Sequence, residues 1–319
     1  MIRNFVRICC VVCGFAQIAM AAGDAAFTVK VVDEAGNPVP GAPVIGTLFN
    51  KLPHHGVTDS KGELVIQADG VRFWYATFSV CLNNANGYYE SYKCFNFQRV
   101  VNGRWQPWNP TVTALVRRIS HPIPMYVKFV QATKLTTNQW YGFDLTAGDF
   151  VQPYGNGAIS DLVFRVSGFF RNYRDNDSVL TLRFANPTDG MQQDDYQATG
   201  STFLMHREAP TNGYAGQLSW RVASTPKEGN GNDEIVDDLK SSPGYLFRVR
   251  SATNDQGVIT KAYYGKIRAG MKFSGIWPEG SSLSFLYYLN PTPNDRNLEF
   301  DPKRNLLQNL QSTEFVDLP

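Results

Sequence analysis

The stretch FTVKVVDEAGNPVPGAPVIGTLF, residues 27–49, decides the fold class. Phe27, Val29 and Val31 alternate with polar residues, which is the pattern of a strand with one buried face. The turn DEAGN follows, and the three prolines of PVPGAPV exclude a helix and favour an edge strand. Residues 56–66, GVTDSKGELVI, add a second turn and another strand. The beginning of the chain is therefore predicted to be a β-sheet domain.

These segments resemble the carboxypeptidase regulatory-like domain. The pattern of that family is a strand, a turn, a Pro-Val-x-Gly-Ala-x-Val strand, and a Thr-Asp-x-x-Gly turn into a third strand. Residues 26–68 of this chain match the pattern. The resemblance implies a prealbumin-like (transthyretin-like) β-sandwich over residues 22–118. It also implies an accessory module of a secreted protein, without peptidase activity.

The first 21 residues are predicted to be a secretory signal peptide. Arg3 and Arg7 form a positive start, Ile8–Ala16 is apolar, and Ala19–Ala21 is a small-x-small cleavage site. The apolar run is shorter than the about 20 residues that a membrane helix needs. We therefore expect an exported protein, periplasmic or extracellular, whose mature chain begins at Ala22 and has no membrane span. A lipoprotein signal is the alternative.

The charge balance excludes two classes of partner. The chain has 30 Lys plus Arg and 28 Asp plus Glu, and removal of Arg3 and Arg7 with the signal leaves 28 of each sign. A protein that binds nucleic acid needs a basic surface, and so does one that binds an anionic membrane. We expect neither partner for the mature chain.

Two cysteines remain after the signal, Cys81 and Cys94, in a chain that meets an oxidising compartment. If the intervening LNNANGYYESYK is a hairpin with a four-residue loop at 86–89, the two cysteines lie directly opposite each other. The sequence therefore predicts a disulfide, worth about 3 kcal/mol of stability. Two buried thiols are the alternative.

The rest of the chain is predicted to be a second sheet domain. HPIP, within the stretch 119–124, reads as a stiff linker, since a residue that precedes Pro is held extended. Residues 125–319 follow it as a domain of unknown function. The alternation of apolar and polar residues there predicts antiparallel strands in sheets with one solvent-exposed face. One short helix is expected near residues 304–311. The predicted strands are Tyr126–Leu135, Leu162–Phe169, Val179–Phe184, Leu218–Ser224, Tyr245–Ser251, Ile259–Ile267 and Leu283–Leu289.

The fold class predicted for the chain is therefore all-β. It consists of two antiparallel β-sandwich domains in series, after an N-terminal signal peptide. The 21 Phe and 15 Tyr favour strands, and the 27 Gly and 18 Pro favour turns.

No catalytic motif is present. The four histidines lie outside any HExxH pattern, and His206-Arg207-Glu208 has the wrong spacing for a zinc carboxypeptidase, so no metal site is predicted. There is no GxSxG elbow. Acidic pairs occur in three polar loops, 175–177, 194–195 and 233–238. Paired carboxylates could serve a hydrolase across a cleft or bind Ca²⁺, but solvated loop charge is the expectation.

Aromatic side chains give a possible binding site for glycans, because a flat ring can cover the apolar face of a sugar. The candidates are Trp105, Trp108, Tyr88 and Tyr89. The alternative is that the two tryptophans pack against the closing strand of the first domain.

The passage NPTPNDRNLEFDPKRN, residues 290–305, is predicted to be a structural clasp. Its prolines cannot continue a central strand. Arg296 is expected to pair with a carboxylate beside Asp295, while Leu298 and Phe300 are expected to be buried. The passage resembles the closing segment of uncharacterised secreted bacterial proteins, and that resemblance implies no activity.

These observations predict an exported, non-enzymatic β-sandwich protein that binds a ligand, mediates adhesion or supports the cell envelope. Its partner would be a carbohydrate or another envelope protein, and no cofactor is predicted. The alternative is a secreted polysaccharide hydrolase that uses loop carboxylates of the second domain.

Overall fold

A computed structural model describes residues 22–48, 51–81, 87–196, 199–227, 232–239, 244–314 and 316. These residues form 21 strands and no helix, which confirms the all-β class. The helix expected near residues 304–311 is therefore wrong, because strand pairing continues to Asn305 and bends follow it. No described segment forms a helix long and apolar enough to cross a membrane. The predicted signal peptide lies outside the described residues.

The chain divides into two compact units. The first contains Met1–Cys81 and Tyr92–Ala114, and the second contains Leu82–Ser91 and Leu115–Pro319. The prediction had placed the whole of residues 22–118 in one domain, whereas this division assigns Leu82–Ser91 and the residues from Leu115 onwards to the second unit.

The first unit consists of two sheets. One has the order β4-β1-β8-β7, with β9 also paired to β1, and the other has the order β3-β2-β5-β6. The buried ring of Phe27 contacts Phe78 with ring centroids 5.9 Å apart, which joins β1 of one sheet to β5 of the other. The strands are β1 (Gly23–Val32), β2 (Pro43–Leu48), β3 (His54–Val57), β4 (Glu63–Val71), β5 (Tyr75–Val80), β6 (Ser91–Asn96), β7 (Arg99–Val101), β8 (Arg104–Gln106) and β9 (Thr111–Leu115).

The predicted turns of this unit form through side-chain chemistry. Asp33 accepts hydrogen bonds from the backbone N–H of Ala35 and Asn37 at 3.0 and 2.9 Å. In the next predicted turn, the carboxylate of Asp59 also accepts hydrogen bonds from two backbone N–H groups. These hydrogen bonds lower the pKa of the Asp59 carboxyl. Gly62 closes that turn at a φ of +73°, where a Cβ atom would lie 2.6 Å from a backbone oxygen.

The predicted hairpin between the cysteines is wrong in register. The N–H of Phe97 donates to the carbonyl of Trp74 at 2.7 Å, so these two residues lie opposite each other. Continued along β5 and β6, this register places Thr77 opposite Cys94. The geometric argument for the disulfide therefore fails, and the structure contains no bond between Cys81 and Cys94.

The second unit is a sandwich of two six-stranded sheets. Sheet I has the order β15-β18-β19-β20-β10-β21, and sheet II has the order β12-β11-β13-β14-β16-β17. All neighbours are antiparallel except β10 and β21, which are parallel. The strands are β10 (Ile123–Leu135), β11 (Trp140–Asp144), β12 (Asp149–Phe150), β13 (Leu162–Asn172), β14 (Asp175–Arg183), β15 (Gly190–Gln193), β16 (Gln217–Thr225), β17 (Glu234–Asp237), β18 (Gly244–Thr253), β19 (Ile259–Phe273), β20 (Ser281–Leu289) and β21 (Phe300–Asn305).

The main core lies between the two sheets. It includes Leu180 and Leu182 from β14 and Phe247 from β18, all fully buried, so the predicted alternation of these strands is confirmed. A second apolar cluster lies on the other face of sheet I, where Met205 packs against strand residues that include Phe300 of β21. Among the described residues, apolar clusters therefore pack on both faces of sheet I, whereas the prediction was one solvent-exposed face.

An ion-pair network joins the two sheets at one end of the sandwich. Arg250 of β18 donates to both carboxylate oxygens of Asp161 at 2.7 Å and to Asp144 at 3.0 Å. Both acids are buried. Burial opposes ionisation of Asp144, but hydrogen bonds from Thr146 and three backbone N–H groups lower its pKa to about 2.

The segment predicted to be a linker is part of the second unit. The N–H groups of Ser120 and His121 each donate to the carboxylate of Glu299 at 2.8 Å. Ile123 pairs with Phe300 in the ladder of β10 and β21. Part-buried hydrogen bonds and strand pairing therefore fasten this segment to the C-terminal passage of the same unit.

Candidate functional site

A pocket of about 440 Å³ on the second unit is lined by several ionisable side chains. It opens beside sheet I, at the end of β15. Its polar lining includes two aspartates, a histidine, a glutamate and an arginine. These residues are Asp194, Asp195, His206, Glu208 and Arg296.

Asp194 is the rigid element of the pocket. It follows the last residue of β15, and its N–H donates to the carbonyl of Gly244 at 3.0 Å. Its side chain is 0% exposed, whereas that of the neighbouring Asp195 is 95% exposed. One carboxylate is therefore held in place, and the next is free to move towards it.

His206 is placed by the irregular segment before it. Phe203 and Met205 are fully buried, so the next side chain points outwards. The guanidinium of Arg117 donates to the carbonyls of residues 203, 204 and 205, with the shortest bond, to Met205, at 2.7 Å. These contacts fix the backbone from which the imidazole of His206 projects.

The imidazole and the buried carboxylate contact each other directly. Nδ1 of His206 hydrogen-bonds Oδ1 of Asp194, and the backbone N–H of His206 donates to Oδ2 at 3.1 Å. Nδ1 also lies 3.7 Å from Oδ1 of Asp195. One ligand atom from each of the three side chains lies within 4.8 Å of the others.

This arrangement has the composition of a metal site. A tetrahedral Zn²⁺ with bonds of about 2.0–2.1 Å separates its ligands by about 3.3 Å, so a small movement of the exposed side chains would close the site. A nitrogen ligand with two carboxylates suits Zn²⁺ or another transition metal better than Ca²⁺, which prefers oxygen ligands alone. No metal site was predicted from the sequence, because His206 follows Asp194 by twelve positions and no motif has this spacing.

Arg296 reaches the same pocket from the predicted clasp. It forms an ion pair with Glu208 and donates to the carbonyl of Ala209 at 2.9 Å. The two segments run side by side, since the N–H of Ala209 donates to the carbonyl of Arg296 at 2.8 Å. The predicted pairing of Arg296 with a carboxylate is therefore confirmed, and the same residue also lines the pocket.

The other residues of the predicted clasp lie outside the pocket lining. Leu298 and Phe300 are 0% exposed, as predicted. Asp295 accepts hydrogen bonds from Asn297 and from the buried Asn290 at 3.0 Å, and it is not part of the pocket lining. The centre of the clasp is a residue that sequence reasoning did not single out, the fully buried Glu299.

The predicted glycan-binding residues do not form a surface. Trp105 is buried, and its indole N–H donates to the carbonyl of Val71 at 2.8 Å. Tyr89 is buried against Phe203, with ring centroids 4.9 Å apart, and donates its hydroxyl to Glu299 at 3.0 Å. Burial, followed by the charge and hydrogen bond of Glu299, raises the pKa of Tyr89. Neither ring has a face available to a sugar.

The remaining two candidates are half-buried. The guanidinium of Arg104 lies 4.6 Å from the ring centre of Trp108, and that of Arg118 lies 5.3 Å from the ring centre of Tyr88. An arginine therefore occupies one face of each ring.

Arginines engage two of the three acidic loops. Asp175 pairs with Arg171 at 3.1 Å, and Asp177 pairs with Arg221 at 2.8 Å. In the acidic loop 233–238, the carboxylate of Asp233 accepts two short hydrogen bonds from Arg174. These pairs use the carboxylates in surface contacts, whereas Asp194 and Asp195 lie beside the histidine.

No protein-family model matches the chain, and no curated protein matches it. Among solved structures, it is similar to the crystal structure of BcpA, the major pilin subunit of Bacillus cereus. The two share 9% sequence identity with a TM-score of 0.24, over 86% of this chain and 99% of the pilin chain. A similarity at this level supports no conclusion about function.

Proposed function

We propose that this chain is an exported, non-enzymatic ligand-binding protein that holds a divalent transition-metal ion in its second unit. The observation that carries the proposal is the convergence of Asp194, Asp195 and His206 at one pocket. The two carboxylates supply negative charge, and the imidazole supplies the nitrogen ligand that favours Zn²⁺. A water molecule would complete the coordination.

Export and a non-enzymatic role are supported by the sequence. The first 21 residues have the pattern of a signal peptide, and residues 26–68 resemble an accessory domain of secreted proteins. The alternative, a polysaccharide hydrolase, needs two carboxylates that face each other across a cleft. In two of the acidic loops, arginines already form ion pairs with the carboxylates of Asp175, Asp177 and Asp233. These ion pairs do not favour a catalytic role for those carboxylates.

Metal binding can be tested by titrating the mature chain with Zn²⁺ and with Co²⁺. Calorimetry measures the affinity for Zn²⁺, and the visible absorption of bound Co²⁺ reports a tetrahedral site with a nitrogen ligand. We expect one site for each chain, with affinity that falls at acidic pH because the ligands must be deprotonated.

Two variants and one control locate the site. Asp194→Asn and His206→Ala should each weaken Zn²⁺ binding by at least tenfold, about 1.4 kcal/mol. His55→Ala, an exposed histidine of the first unit, should leave the affinity unchanged. Equal affinity in all four proteins, or no binding by the wild type, would overturn the proposal.

A further inference from the structure

Three aromatic rings form a cluster on the second unit, which we call the aromatic platform; one ring is exposed and the other two are half-buried. It consists of Phe170 and Tyr173, at the end of the β13–β14 hairpin, and Trp277, in the loop between β19 and β20. The ring centroids are 5.3 Å apart for the two pairs that contain Trp277, and 5.8 Å apart for the third. Tyr173 is 76% exposed although its ring contacts the other two, so the cluster presents aromatic surface to solvent.

The platform is held rigidly from below. The indole N–H of Trp277 donates to the carbonyl of Ser274 at 2.6 Å, and the N–H of Ile276 donates to the hydroxyl of Ser178 at 2.8 Å. Asn172 accepts hydrogen bonds from two backbone N–H groups of the hairpin turn that carries Tyr173. A ligand would therefore meet rings that are already ordered, which lowers the entropy lost on binding.

The spacing of the rings decides how a ligand could lie on them. An aromatic cage for a quaternary ammonium group needs a gap in which the cation is enclosed. Here the rings touch one another, so no group fits between them and a ligand must lie on top. The flat apolar face of a pyranose suits such a surface, because its C–H groups meet the negative face of an aromatic ring.

The charges around the platform favour a neutral, hydroxylated ligand. Arg171 pairs with Asp175 at 3.1 Å, and Arg174 binds Asp233 through two short hydrogen bonds. These pairs place donors and acceptors side by side without net charge, as sugar hydroxyls require. Three rings are also too small a surface for a stable protein interface, which buries about 800 Å² on each partner.

We propose that the aromatic platform of Phe170, Tyr173 and Trp277 is a carbohydrate-binding site for a single polysaccharide chain. The rings are inclined to one another by 47° to 89°, so they present a bent surface rather than a plane. A bent surface follows the twist of a free chain better than the flat face of a crystalline fibre. The site is separate from the metal site and does not need a bound ion.

Soluble hexasaccharides of β-linked glucose, xylose and N-acetylglucosamine, together with microcrystalline cellulose, test the proposal. Calorimetry in the presence of EDTA measures hexasaccharide binding by the mature chain without metal. We expect binding to at least one hexasaccharide and no retention on the crystalline cellulose. If none of the three sugars binds, or if only crystalline cellulose does, the proposal is wrong.

Variants assign the binding to the platform. Tyr173→Ala and Trp277→Ala should each weaken binding at least tenfold, and Trp277→Phe, which keeps an aromatic ring, should restore part of the loss. Trp74→Ala is the matched control, because Trp74 is a tryptophan of the first unit with 47% exposure. Full affinity in Tyr173→Ala and Trp277→Ala, or loss in the control alone, would place the sugar elsewhere and overturn the proposal.

Discussion

Replacing Lys266 with methionine should stabilise the second unit, by an amount that becomes smaller as the pH rises. Lys266 lies in the centre of sheet I and is 0% exposed. Its Nζ has no hydrogen-bond partner among the described residues and lies 4.5 Å from the ring centre of Phe203 and 5.3 Å from that of Tyr288. Burial, aided by the positive charges of Arg268 and Arg117, lowers the pKa of Lys266 well below its usual 10.5.

The sign of the effect follows from the protons that each state binds. The pKa of the amine is lower in the folded protein than in the unfolded chain, where it keeps its ordinary value of 10.5. Between these two pKa values the unfolded state binds more protons, so it gains stability relative to the folded state as the pH falls. Each pH unit in this window changes the free energy of unfolding by about 1.4 kcal/mol.

As the pH rises from the lowered pKa towards 10.5, the wild type should gain stability relative to Lys266→Met, with a limiting slope of about 1.4 kcal/mol for each pH unit. Urea denaturation at each pH measures this difference, and hydrogen exchange of the β19 amides assigns the transition to the second unit. Lys272→Met, at an exposed lysine of the same strand, is the control and should show no such slope. A difference between the wild type and Lys266→Met that stays constant with pH would mean that the buried amine is charged, and would refute the reasoning.

Two further regions give stability predictions. Arg250→Met should cost about 3–5 kcal/mol, because it leaves two buried carboxylates unpaired, and an unchanged urea midpoint would contradict this. Since the pKa of Asp144 is about 2 against an ordinary 3.8, its ionised form contributes about 2 kcal/mol of stability that is lost as the pH falls from about 4 to about 2. Asp144→Asn should lack that acid transition in a pH titration followed by circular dichroism. Phe300→Ala should cost about 3–5 kcal/mol in thermal unfolding, whereas Leu306→Ala, at a 36% exposed position, should change stability by less than about 0.5 kcal/mol.

The strands and turns were predictable because their signals are local. Asp59 and Gly62 form the expected turn since a carboxylate bonds the backbone two residues on and glycine accepts a positive φ. The strand that contains Leu180 and Leu182 buries the predicted face, because side chains alternate in any strand. In these cases the information needed lies within a few consecutive residues.

Local sequence patterns did not predict burial correctly where a segment distant in the chain packs over the side chain. Tyr89 and Trp105 carry rings suited to a surface, but neighbouring segments cover both of them. The alternating pattern of β18 indicated one wet face, and a second apolar cluster covers that face of the sheet. Burial of an aromatic or polar side chain depends on which other segment packs over it. The periodicity of apolar residues within one strand does not contain that information.

The sequence by itself determined that the chain is all-β and where most of its strands lie. Propensity, turn chemistry and side-chain period determine these features because they act over short distances. Only the tertiary structure decided the register of β5 and β6, the burial of Lys266, and the meeting of Asp194 with His206 at one pocket. These features depend on contacts between segments distant in the chain, which form when sheets pair and pack. A site without a local motif becomes visible only once those contacts exist.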